Sequence, residues 1–123
     1  MVGPVISRAA QNNIKAQIQD ALDKGAVDAT PKNDSFTSAP SSGNYVAPIL
    51  LTNVAHDMEV MREETFGPVI PVAKVKDDEE AVRLMNDSDY GLTASVWTKD
   101  IARGEELIEQ LEAGTDRKST RLN

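Results

Sequence analysis

Apolar positions recur at helical spacing early in the chain. Ala10, Ile14, Ile18, Ala21 and Leu22 fall on one face of a 3.6-residue period. Ser7 is placed to cap that helix, and Gly25 to end it in a left-handed conformation. The opposite face carries Gln11, Lys15, Gln19 and Asp23, which predicts a one-sided surface helix needing a partner for its apolar stripe. The periodicity then lapses. Residues 28–44 are rich in Ser, Pro, Asn, Asp and Thr, broken by Pro31, Pro40 and Gly43, and predict an exposed loop with Phe36 as its one large apolar residue.

Tyr45 to Leu51 has strand composition, with Pro48 favouring an edge position or a bulge. Thr52 to Met58 reads as a short polar connection in which His56 is exposed to solvent. Val69 to Val75 predicts a buried strand, for which Pro71 would suit the first position. Asp77 with Glu80 forms a capping-box pattern ahead of a helix presenting Ala81, Val82, Leu84 and Met85 and stopping near Asn86. Asp87 to Gly91 is a turn, and Thr93 to Thr98 the next strand. Asp100 caps a last helix with Ile101, Leu107, Ile108 and Leu111 inward and Gly114 as terminator, weakened by about 1 kcal/mol at Gly104 relative to alanine. Met58, Met61 and Met85 read as core fillers.

Strand, helix, strand and helix with connections of this length make βαβ units, hence a right-handed crossover and a parallel sheet. Parallel sheets need both faces covered, and these helices are expected to cover only part of the surface, so partner elements are missing. The expected fold class is therefore α/β: a partial parallel sheet with βαβ units, a fragment of a larger domain.

Composition narrows the chemistry. The net charge of −7 and pI near 4.6 argue against nucleic acid and anionic membrane surfaces as partners. No apolar run approaches the length of a membrane-spanning helix, and no basic-then-apolar signal segment opens the chain. With no cysteine and one histidine, disulfides, a thiolate nucleophile and a His or Cys metal cluster are all excluded within these 123 residues. The octapeptide from Asp116 to Asn123 is what a common sequencing-library adapter encodes in frame, so residues 116–123 are expected to be a non-native tail behind a native segment 1–115.

The candidate chemistry lies in Met61-Arg62-Glu63-Glu64-Thr65-Phe66-Gly67-Pro68-Val69-Ile70-Pro71. In extended backbone a carboxylate and a ring two residues apart project to one side, here beside a rigid Gly-Pro turn. Glu64 and Phe66 would offer a charged acceptor next to a flat apolar face, which suits a ligand made of a sugar and a ring. From the residues alone, the favoured reading is instead a solvated charge pair at Glu63-Glu64 and a core anchor at Phe66 beside the Gly-Pro turn, with the ligand reading in the minority.

Glu63-Glu64-Thr65-Phe66-Gly67-Pro68 resembles the Glu-Glu-x-Phe-Gly-Pro motif of the NAD(P)-dependent aldehyde dehydrogenase superfamily. Its neighbours agree: Gly3-Pro4-Val5-Ile6, Asn53-Val54, Asp57-Met58, the block from Asn86 through Tyr90-Gly91-Leu92, and Ala113-Gly114-Thr115 resemble family stretches in the same order. The resemblance implies a Rossmann-like cofactor domain, an α/β catalytic domain of which this chain is a fragment, and an oligomerisation segment. It also implies a cysteine that attacks the aldehyde, hydride transfer to nicotinamide, and a glutamate-activated water that releases the acid. Glu64 would accept hydrogen bonds from the nicotinamide ribose hydroxyls, since a carboxylate offers two oxygens to a vicinal diol. Phe66 would pack against the nicotinamide side, Gly67 would permit close backbone approach, and Pro68 would restrict Gly67.

The expected function follows from the resemblance. It is a fragment of an NAD(P)-dependent aldehyde dehydrogenase that oxidises an aldehyde to a carboxylic acid, with NAD or NADP as cofactor. The whole enzyme is expected to be a homo-oligomer in the cytoplasm or an organelle matrix. The chain by itself is expected to be inactive and poorly folded, because the nucleophilic cysteine and the cofactor domain lie outside it. The alternative is a non-catalytic interaction or scaffold module keeping the fold without the chemistry. No catalytic residue and no metal ligand is assigned, and the cofactor-binding residues are Glu64 and Phe66.

Overall fold

The computed structural model describes residues 2–32, 40 and 42–114. Phe36 and the tail 116–123 lie outside the described residues, as does most of the central part of the 28–44 loop. The chain divides into two compact units, Met1–Lys74 and Val75–Asn123. The first contains α1 (Arg8–Asp23), β1 (Val27–Asp28), β2 (Ile49–Thr52), α2 (Glu59–Arg62) and β3 (Val69–Pro71). The second contains α3 (Asp78–Asn86) and α4 (Ile101–Ile108).

α1 begins where its capping chemistry predicts. Ser7 has extended backbone and its Oγ accepts from the Ala10 amide at 3.1 Å. The helix gives way to Gly25 at φ 101°, the left-handed conformation in which glycine carries no Cβ penalty. Its buried residues are Gln11, Ile14, Gln17 and Ala21, flanked by half-buried Ala10, Ile18 and Leu22. Gln11, expected on the polar face, is inside. Its Oε1 accepts from Arg8 at 2.7 Å, and its Nε2 donates to the Tyr45 carbonyl at 2.6 Å, which satisfies an amide that would otherwise be costly to bury.

The sheet is three-stranded in the order β1-β2-β3. β2 and β3 are parallel, with Ile49 opposite Val69 and Leu51 opposite Pro71, while β1 is antiparallel to β2. The sheet is thus mixed, and its parallel crossover runs from β2 through the single turn of α2, a helix absent from the sequence reading. β2 starts after Pro48 rather than at Tyr45. Pro71 closes β3 rather than opening it. The ladder bond at this end comes from the next residue, whose amide, Val72, donates to the Leu51 carbonyl at 2.8 Å, so the N–H that Pro71 lacks is not missed.

The core of the first unit is Ala21, Ala26, Leu51, Val54, Met58 and Val60, with Leu22, Ile49, Met61 and Val69 packed against it. Met58 and Met61 therefore fill the core as expected, and His56 is half-buried rather than exposed. Asn53 links β2 to this core with φ 55°, a conformation that asparagine tolerates, and its Nδ2 donates to the Gly25 carbonyl at 2.9 Å. Asp20 of α1 accepts from the α2 amide of Glu59 at 2.9 Å and pairs with Lys24 at 2.9 Å. The Lys24 hydrogen bond, then the Glu59 amide, hold the Asp20 carboxyl below its usual range.

In the second unit, Asp77 caps α3 through the Glu80 amide at 2.8 Å and Asp100 caps α4 through the Arg103 amide at 3.0 Å. Glu80 reaches back to the Lys76 amide at 2.9 Å, one residue earlier than a standard capping box. α4 ends at Ile108, not near Gly114, and the Gly114 amide instead bonds the Gly91 carbonyl at 2.7 Å. Gly104 sits inside α4 because a Cβ there would lie 2.8 Å from Thr98 Cγ2. Residues 93–98 form no strand; only Ala94 makes an isolated bridge. Strand geometry needs a hydrogen-bonded neighbour, and none runs beside this stretch among the described residues. None of the described residues of this unit is fully buried, and Met85, expected in the core, is 46% exposed. Among the described residues no helix is long and apolar enough to cross a membrane.

Candidate functional site

The motif occupies the connection between α2 and β3. Glu63 follows α2 with extended backbone, φ −107° and ψ 148°, and its amide closes the helix onto the Glu59 carbonyl at 2.9 Å. Beyond it exposure alternates. Glu64 is exposed, Thr65 half-buried, Phe66 exposed at 77%, and Gly67 half-buried. Phe66 is therefore not a core anchor.

The inward residues are held by α1. Thr65 Oγ1 donates to Gln17 Oε1. A Cβ on Gly67 would lie 2.5 Å from Ile14 Cδ1, so the close approach expected at this glycine exists and is made by α1. The Gly67 amide returns to the Thr65 carbonyl at 2.8 Å, a three-residue turn with Phe66 at its apex. The Val69 amide bonds the Gly67 carbonyl at 2.9 Å, and the Pro68 carbonyl takes the Ile49 amide at 2.9 Å, tying the turn into β2. Pro68 has no amide to satisfy at this crowded point.

The outward residues are left available. Glu64 is exposed, and among the described residues no hydrogen bond or ion pair engages its carboxylate. A carboxylate can accept two hydroxyl donors beside a free aromatic face. The same residues show no cluster of His, Cys, Asp and Glu able to hold a metal ion. A shallow groove of about 290 Å³ lies in the second unit among Ala81, Val82, Met85, Trp97, Leu107 and Leu111, and contains no residue of the motif.

Two residues of this site escaped the sequence reading, Gln17 and Ile14 in their roles as supports. A signal for Gln17 was present: it lies three residues after Ile14 and four before Ala21, in line with the apolar stripe. A glutamine at such a position must find a partner inside the fold.

The Aldehyde dehydrogenase family is matched over residues 1–117. The chain belongs to this family. Among relatives of this aldehyde dehydrogenase segment is the 4,4'-diapolycopene aldehyde oxidase of Methylomonas sp, 42% identical over 113 residues, which are 92% of this chain and 20% of that protein. Among solved structures, an NAD-dependent benzaldehyde dehydrogenase from Corynebacterium glutamicum superposes with a TM-score of 0.79 at 39% identity, over 92% of this chain and 23% of its own. An NADP-dependent glyceraldehyde-3-phosphate dehydrogenase from Bacillus halodurans C-125, complexed with NADP, gives a TM-score of 0.80 at 42% identity, over 91% of this chain and 22% of its own. The chain thus spans roughly a fifth of the aldehyde dehydrogenases it matches. The mixed α/β arrangement is a partial domain of that fold.

Proposed function

We propose that this segment is one wall of the active site of an NAD(P)-dependent aldehyde dehydrogenase that oxidises an aldehyde to a carboxylic acid. The observation that carries the reading is the outward presentation of Glu64 and Phe66 from a backbone fixed at Thr65 and Gly67. Family membership and the dehydrogenases named above support it.

The two side chains fit the nicotinamide half of a dinucleotide. Glu64, whose carboxylate has no hydrogen bond or ion pair among the described residues, would accept from the two ribose hydroxyls in charge-assisted hydrogen bonds. Phe66, 77% exposed, covers one side of the nicotinamide ring and limits its swing. The bound cofactor supplies the hydride acceptor; this chain orients it. Without cysteine among its 123 residues, the chain contributes no thiolate, so by itself it does not oxidise aldehydes. The family resemblance further leads us to propose a homo-oligomeric, cytoplasmic full-length enzyme.

The test is Glu64→Gln in the full-length enzyme. The KM for NAD(P) is expected to rise about tenfold or more, the scale of a lost charge-assisted hydrogen bond, with the melting temperature unchanged. Hydride transfer should slow in parallel. Unchanged steady-state kinetics together with unchanged cofactor affinity would refute the role of Glu64.

A further inference from the structure

We propose that Thr65 and Gln17 are positioning residues for the cofactor pair, setting where Glu64 and Phe66 point through one part-buried hydrogen bond to α1. This rests on the cofactor reading of Glu64 and Phe66. Gln17 is 2% exposed in the middle of a helix of 16 residues. A buried amide is costly unless its oxygen and nitrogen are partnered, so packing and pairing together restrict its rotamer. Its Oε1 accepts the Thr65 hydroxyl, on the residue between the two outward side chains.

One helical turn earlier on the same face, Ile14, 2% exposed, occupies the space a side chain at position 67 would need. Positions 14 and 17 are neighbours on the helix surface, and they hold alternate residues of the motif, 65 and 67. A segment pinned at alternate residues cannot roll about its own axis. Residues 64 and 66 must then face away from α1, and the Gly67-to-Thr65 turn at 2.8 Å sets the angle of the Phe66 branch. Loss of the hydroxyl would free that roll without removing either cofactor contact.

The experiment uses the full-length enzyme and a double-mutant cycle. Thr65→Val keeps the shape and removes the donor, Thr65→Ser keeps the donor, and each is combined with Glu64→Gln. Thr65→Val is expected to raise the KM for NAD(P) by about three- to tenfold, the span of one net hydrogen bond, while Thr65→Ser stays within about twofold of the parent. If Thr65 acts by orienting Glu64, Thr65→Val adds little to KM once Glu64 is Gln. Gln17→Met, which fills the same space without the acceptor, should reproduce the Thr65→Val effect; if that variant does not fold, the cycle at positions 64 and 65 decides alone.

A raised KM in Glu64→Gln with none in Thr65→Val overturns the positioning role and leaves the cofactor reading standing. Effects of the two substitutions that multiply fully in the double variant reduce Thr65 to a structural residue and overturn it likewise. No effect of Glu64→Gln removes the cofactor reading itself, and the positioning role with it.

Discussion

At the scale of single residues, the two faces of the motif were not equally visible. The spacing of Glu64 and Phe66 suggests that they share a side, but that Phe66 is exposed and not a core anchor is decided by the structure. The supports were less visible: Gln17 reads as polar although it stands in line with the apolar stripe, and the close approach expected at Gly67 does not name Ile14 as its partner. Their meaning comes from a helix about fifty positions earlier in the chain, and a local pattern carries no such information. Gly67 yields a direct prediction. Gly67→Ala would set a Cβ 2.5 Å from Ile14 Cδ1 and 3.1 Å from its Cγ1, so overpacking should cost about 1–3 kcal/mol. Ile14→Val deletes Cδ1, and in the Gly67→Ala background it should recover part of the lost stability. Denaturation midpoints of the full-length variants check this. If losses from the two substitutions simply add, the contact is not what requires glycine.

At the scale of elements, the three capped helix starts were legible, whereas of the strands only the places of β2 and β3 were, not their bounds or partners. Ser7, Asp77 and Asp100 each accept from the amide three residues on, at 3.1, 2.8 and 3.0 Å. These interactions close within one turn, so sequence suffices to place them. Strands depend on partners far along the chain. Ile49 pairs with Val69 across twenty positions, and residues 93–98, with a strand's composition, form no ladder among the described residues beyond the bridge at Ala94. The end of α4 was misplaced for a related reason, since Gly114 serves the Gly91 carbonyl and not the helix. Asn86, read as a terminator of α3, does more than end it. Its Nδ2 donates to the Gln110 carbonyl at 2.8 Å and its Oδ1 accepts from the Glu112 amide at 2.9 Å. Asn86→Ala should therefore loosen the segment after α4, costing about 1 kcal/mol or more for the two bonds. Asn86→Asp keeps the acceptor and loses the donor, and should fall between. Faster hydrogen exchange at the Glu112 amide in Asn86→Ala than in Asn86→Asp is the expected signature, and equal exchange would remove the assignment.

At the scale of the whole chain, the two units differ in how much core they own. The first buries Leu51 completely and Met58 nearly so, while no described residue of the second is buried. Leu92, Trp97 and Ile101 are 81%, 78% and 59% exposed. Burying a side chain of this size is worth about 1.5–3 kcal/mol, and here that stabilisation is unrealised. The isolated 123-residue polypeptide should accordingly bind a hydrophobic dye and show no single cooperative thermal transition. Amides of α3 and α4 should exchange well before those of α1. A sharp transition with uniform protection in both units would contradict this account.

What the sequence determined by itself was the caps at Ser7, Asp77 and Asp100, the reach of α1, and the ordered motifs of the aldehyde dehydrogenase family. Only the tertiary structure decided which strand pairs with which, that the sheet is mixed, and that Gln17 and Ile14 of α1 support the motif. The physical reason is one of range. Capping and turn hydrogen bonds join near neighbours and are selected by residue type, whereas ladder pairing and side-chain packing join positions whose distance along the chain no local pattern records.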